Sequence, residues 1–196
     1  MNFLKFVFFL FFSVSLFAIS ESEIKPSIQK ATDDAIVVLK DQNLNKDEKS
    51  VKIFKIFDPF FDYKQMAKIS LSKRYNTLSE AQKEQFEKVF ESRLKNSYVD
   101  KLLSYTDQSI NLKDVTKPNE NRYWLNGDVV SSGKEHPFIY KFYNAKEKGW
   151  LIYDLDILGV SIVQTYRSQF GSLLENGTFE DLINILETVN LPEDSK

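Results

Sequence analysis

Apolar side chains recur first every three or four positions and later every two, so the chain divides into a helical part and a strand part. Ile28, Ala31, Ala35, Val38 and Leu39 fall on one helical face. Asn45 with Glu48 forms a capping box. It opens a second helix whose stripe is Val51, Phe54, Phe57 and Phe61, and Pro59 ends or kinks that helix. A third helix is predicted over 62–74. The fourth has the clearest spacing. Ser79 and Gln82 cap its start, and Phe86, Phe90, Leu94, Tyr98, Leu102 and Tyr105 follow on one face of a helix of about 25 residues.

From residue 106 the period changes to two. Four strands are predicted, over about 107–116, 121–131, 136–144 and 149–158, with Asn126-Gly127, Ser132-Gly133 and Lys148-Gly149 as turn or bulge signals. Lys141 is expected to face water, which turns Phe138, Tyr140 and Phe142 inward. Ser161 to Gln164 then reads as another helix start, with Gly177 as its stop. Thr178 and Asp181 open a last helix carrying Leu182, Ile185, Leu186 and Val189. Helices grouped before and after an antiparallel four-stranded sheet define the α+β class.

Residues 1–20 differ from all of this. Lys5 is followed by an almost unbroken apolar run from Phe6 to Ile19, and Ala18 and Ser20 are small residues two apart. That is the pattern of a secretory signal peptide cut after Ser20, with an apolar run too short to span a bilayer. The exported chain, 21–196, is then one domain. Its helical part covers about 25–105, its sheet about 106–158 and its C-terminal helices about 161–190.

Composition narrows the chemistry. The net charge is −2, which argues against a nucleic-acid partner. There is no cysteine, so neither disulfides nor attachment through a lipidated cysteine is available. One histidine, His136, stands before Pro137 with no G-x-S-x-G elbow, and it reads as a solvated strand end. One histidine without cysteine excludes a zinc site of the usual kind. Only 6 glycines occur, and none forms a phosphate-cradling loop, so no cofactor is implied. Asp154 and Asp156 are two apart and share a strand face; they suit either acid–base work or structural hydrogen bonding. Lys64, Lys68, Lys73 and Arg74 are either an anion-attracting cluster or a solvated helix face. Asn176-Gly177-Thr178 matches a glycosylation sequon but reads better as a helix stop followed by an N-cap.

Three segments carry a family resemblance. The first is Phe61-Asp62-Tyr63-Lys64-Gln65-Met66-Ala67 with Leu71-Ser72-Lys73-Arg74-Tyr75. The second is Leu78 to Phe86, running on to Phe90 and Tyr98. The third is Gly149 to Asp154, then Leu158 to Val163 and Tyr166 to Phe170. Together they resemble the MlaC family, also called the toluene-tolerance auxiliary family, over roughly 25–190. Its members often have Gly at Ser72, Trp at Tyr75 and an apolar residue at Asp156. The resemblance implies a periplasmic phospholipid carrier, not an enzyme, with a sheet like that of nuclear transport factor 2 and a helical subdomain enclosing an apolar cavity. It implies three partners: a phospholipid, an outer-membrane lipoprotein–porin complex, and an inner-membrane ABC transporter with its substrate-binding component. The expected lining is Met66, Phe86, Phe90 and Leu94 from helices, Phe138, Tyr140, Phe142, Tyr153 and Leu155 from the sheet, and Val160 from the turn beyond. The alternative is an enzyme on the same sheet type, with Asp154 or Asp156 as acid or base.

Overall fold

The computed structural model describes residues 18–103 and 109–188. Its helices are α1 (Ile24–Lys40), α2 (Lys46–Phe57), α3 (Tyr63–Leu71), α4 (Glu80–Leu103), α5 (Ile162–Asn176) and α6 (Phe179–Thr188). Its strands are β1 (Ser109–Asn119), β2 (Arg122–Ser131), β3 (Lys134–Asn144), β4 (Trp150–Ile157) and β5 (Val160–Ser161). They form one antiparallel sheet in the order β1-β2-β3-β4-β5. The sheet therefore has five strands rather than the four expected. The fifth is two residues long, too short to register as a period.

Helix starts follow local chemistry. Asn45 accepts from the Glu48 N–H, and the Glu48 carboxylate accepts from the Asn45 N–H, so the predicted capping box is present. Ser79 and Gln82 do the same for α4. Ser161 caps α5 through the Gln164 N–H, and Thr178 and Asp181 cap α6 reciprocally. Thr178 thus serves as the expected N-cap.

Two apolar cores result. α1 lays Ile24 and Ile28 on one sheet face, against Tyr123, Leu125, Phe142, Trp150 and Ile152. The second core lies among α3 to α6 beyond β4. Phe86, Phe90, Tyr166 and Phe170 meet there with ring centroids 5.3–6.2 Å apart, mostly edge to face, joined by Met66 and Leu94. The positions expected at Leu102, Tyr105 and Val189 fall outside the described side chains.

Several local expectations are corrected. α2 buries Ile53 and leaves Val51 exposed, because its contacts are with α1 and α4 and its inward face is rotated accordingly. Of the two readings of Asn126-Gly127, turn or bulge, the second holds: it lies inside β2, beside a slip in the β1–β2 register between Leu112 and Val115. Gly127 is needed there, since a Cβ would sit 2.4 Å from Cζ of Phe138. Ser132-Gly133 is the hairpin turn, with positive φ at both residues.

The third helix ends at Leu71, three residues earlier than predicted, because Ser72 adopts φ 55° and ψ −131°. That backbone suits glycine. Ser72→Gly is expected to stabilise the fold by about 1 kcal/mol, as strain relief exceeds the added chain entropy. Urea unfolding of the two proteins checks this; a lower midpoint for the glycine variant would contradict it.

Candidate functional site

Cross-strand pairs place Tyr123, Leu125 and Gly127 of β2 on one face with Phe142, Tyr140 and Phe138 of β3, and with Ile152, Leu155 and Ile157 of β4. This face points at the helices. The ten expected lining residues distribute unevenly over it. Met66, Phe86, Phe90 and Leu94 are buried in the helical core, and Phe142 is buried in the core under α1. Phe138 is buried between Gly127 and Tyr140, with its ring centroid 5.1 Å from that of Tyr140.

Tyr140 and Leu155 are cross-strand partners on the seam between the two cores. Both are half-buried: Tyr140 packs against the core under α1, and Leu155 and Ile157 pack against the helical core. Burial pushes the Tyr140 phenol up to about 12. Among the described residues its hydroxyl has no hydrogen-bond partner. The phenol is thus deep in the fold yet keeps some accessible surface. Tyr98 of α4 packs against the same helical core, and its phenol is also raised to about 12, first by burial and then by Tyr166 and Asp154. Ile157 shares a face with Leu155 and so was open to the same alternation, although it is not among the expected lining residues.

Two expected lining residues stand elsewhere. Val160 is 57% exposed at the start of β5. Tyr153 lies on the opposite sheet face, because β3 and β4 slip register: Lys141 pairs with Asp154 but Phe142 pairs with Ile152. The unpaired Tyr153 of this bulge breaks the alternation that grouped it with Leu155. It accepts a hydrogen bond from Trp124 Nε1 at 3.3 Å and packs against Tyr143 and Arg122.

The same face corrects the reading of Lys141, which does not face open water. Its side chain is 13% exposed and its ammonium bridges Asp154 at 3.3 Å and Asp156 at 2.7 Å, over the Trp124 ring. Burial works to lower the Lys141 pKa, and pairing with Asp156 and Asp154 outweighs it, so the net direction is upward. Asp154 also accepts from Ser161 Oγ at 2.7 Å, from the Val163 N–H at 3.1 Å and from the Leu155 N–H at 2.9 Å. Its oxygens thus tie β4 to the start of α5, the structural use weighed against acid–base work. Among the described residues no group of three or more His, Asp or Glu could hold a metal ion.

An open groove of about 700 Å³ runs along α5, lined by Val160, Ser161, Thr165, Ser168, Gln169 and Ser172 among others. Ser, Thr and Gln side chains interrupt its apolar surface, so it offers no continuous apolar wall to an acyl chain. In the basic cluster, Lys64 pairs with Glu87 at 3.3 Å, while Lys68, Lys73 and Arg74 are exposed. No helix among the described residues is long and apolar enough to cross a membrane.

An antiparallel sheet with α1 on one face, a helical layer beyond β4 and an apolar seam between two cores defines a domain of the α+β class. A profile described as MlaC protein matches residues 29–188, and the chain belongs to the MlaC family. Its fold is similar to that of a solved phospholipid-binding protein from Ralstonia solanacearum in complex with a phospholipid. The TM-score is 0.71 at 22% identity, over 83% of this chain and 93% of that chain. No curated protein matches it.

Proposed function

We propose that this chain is a periplasmic phospholipid carrier that holds acyl chains in the seam between sheet and helices, in an arrangement of the nuclear transport factor 2 type. The observation that carries this reading is the half-buried, partnerless Tyr140 beside Leu155 on the face between two separate cores. Membership in the MlaC family supports it, as does a fold shared with a protein solved with phospholipid bound. The ligand contacts we assign first are Phe138, Tyr140, Leu155 and Ile157, with Tyr98 from α4. Met66, Phe86, Phe90, Leu94 and Phe142 back this surface.

The physics of the task is simple. A diacyl lipid has about 30 methylenes, each worth about 0.8 kcal/mol on transfer to water, so free passage through an aqueous space is blocked. An apolar seam replaces the bilayer at little net cost, and exchange between the two is close to neutral. Direction then comes from the partners, an outer-membrane lipoprotein–porin complex and an inner-membrane ABC transporter with its substrate-binding component. The apolar run that follows Lys5 supplies the export signal.

Native mass spectrometry of the protein isolated from an exporting host tests this. A bound mass in the diacyl phospholipid range supports it, and protein that is lipid-free and takes up no phospholipid from vesicles contradicts it. His136 is half-buried at the start of β3, opposite Val129. His136→Ala is expected to leave the phospholipid load unchanged. Loss of lipid at unchanged stability would give the imidazole a role that its surroundings do not suggest.

A further inference from the structure

The outer edge of β4 has no long neighbour among the described residues; three short pieces cover it in turn. Ile19 lies beside Gly149, Phe61 lies beside Ile152, and β5 pairs with Asp156 and Ile157. Edge coverage of this kind keeps backbone donors from recruiting another chain. The first piece falls within the stretch that a cut after Ser20 would remove.

That piece is fully engaged. The Ile19 carbonyl accepts the Trp150 N–H at 3.0 Å, and the Ile19 side chain packs against the core that holds Tyr123, Phe142 and Trp150. Ile19 and Gly149 form a parallel bridge so close that a Cβ on Gly149 would lie 2.6 Å from the Ile19 oxygen and 2.8 Å from the Ala18 carbonyl carbon. Ser20 caps the short turn at Glu21–Glu23: its N–H and Oγ both donate to Glu23 Oε2, at 2.8 and 2.6 Å. Glu21 then pairs with Lys117 at 2.7 Å.

We infer that export processing cuts the Ala18–Ile19 bond, and that the mature protein begins at Ile19 and uses its new N-terminus as an edge segment of the sheet. The inference rests on the export reading above. In the cut, water adds to the Ala18 carbonyl, the C–N bond breaks, Ala18 leaves as a carboxylate and Ile19 keeps the amine, which takes up a proton. The spacing of Ala18 and Ser20 favours the bond after Ser20; Ala18 supplies a small residue directly before the earlier bond, with Leu16 rather than a second small residue two positions further back. The protease meets an unfolded chain, so the fold does not direct the cut. What the fold specifies is the length of chain the domain uses, and that length includes Ile19 and Ser20. Starting at Glu21 would uncover the Trp150 N–H and remove the cap on the first turn.

The test expresses the full chain in an exporting host and reads the N-terminus of the soluble protein by sequencing and intact mass. A start at Ile19 supports the inference. A start at Glu21, or at any other processed position, overturns it and leaves export standing. Met1 retained on membrane-bound protein overturns both. Ser20→Arg separates the two bonds, since it places a charge directly before the later one and two positions beyond the earlier one. This variant is expected to be cut as wild type, and accumulation of its precursor overturns the inference. Hydrogen exchange adds a structural readout on chains beginning at Ile19 or at Glu21 behind an initiating Met. The Trp150 amide is expected to exchange up to about tenfold faster in the shorter chain, having lost one hydrogen bond. Equal protection would mean that residues 19 and 20 are not part of the fold.

Discussion

Leu155→Trp is expected to abolish phospholipid co-purification while lowering the melting temperature by only a few degrees. Leu155 faces Tyr140 across the β3–β4 ladder, half-buried, with the core under α1 on one side and the helical core on the other. If acyl chains occupy that seam, the added indole takes volume that methylenes would fill. The protein then loses its cargo but keeps its own packing. In a closed core the same change overpacks and costs about 1–3 kcal/mol. Thermal unfolding and the phospholipid content of the purified variant, measured together, separate the outcomes. Val160→Trp is the control, because Val160 is 57% exposed and an indole there reaches solvent. It should keep both lipid and melting temperature. A Leu155→Trp protein that carries wild-type amounts of phospholipid would place the lipid elsewhere.

The elements were legible in the sequence where their signals are local. Asn45, Ser79, Ser161 and Thr178 each start a helix by accepting an N–H three residues on, so residue type and spacing suffice. The inward turn of Phe138 and Phe142 followed from alternation alone. What escaped depends on the partner strand. One inserted residue at the β3–β4 bulge moved Tyr153 to the other face, and nothing in β4's own sequence announces it. Lys141 looked solvated because lysine usually is. Its two carboxylate partners lie 13 and 15 residues away, and only the register brings them under it. Phe86 and Phe90 carried the right period for either a pocket wall or a core; the rings that meet them, Tyr166 and Phe170, come from a helix after the whole sheet.

Asp154→Ala should be among the most destabilising single changes in the chain, at about 3–5 kcal/mol against a total stability of about 5–15 kcal/mol. The side chain is 6% exposed and meets four donors. Three of them lose their partner on truncation: Ser161 Oγ, the Val163 N–H in the first turn of α5, and the Leu155 N–H beside the bulge. The carboxylate also sits at the positive end of the α5 dipole, an added favourable term. The fourth donor, Lys141, keeps Asp156, whose side chain is 14% exposed, so its charge would be compensated by one partner rather than two. Asp154→Asn retains an acceptor oxygen and loses the charge, and should cost about 1–3 kcal/mol. Asp156→Ala breaks only the Lys141 contact and should cost less than Asp154→Ala. Urea unfolding of the three variants tests this order. The acid–base alternative predicts a different result: Asp154→Asn would fold with wild-type stability and lose an activity. Near-wild-type unfolding of Asp154→Ala would refute the structural role assigned to this carboxylate.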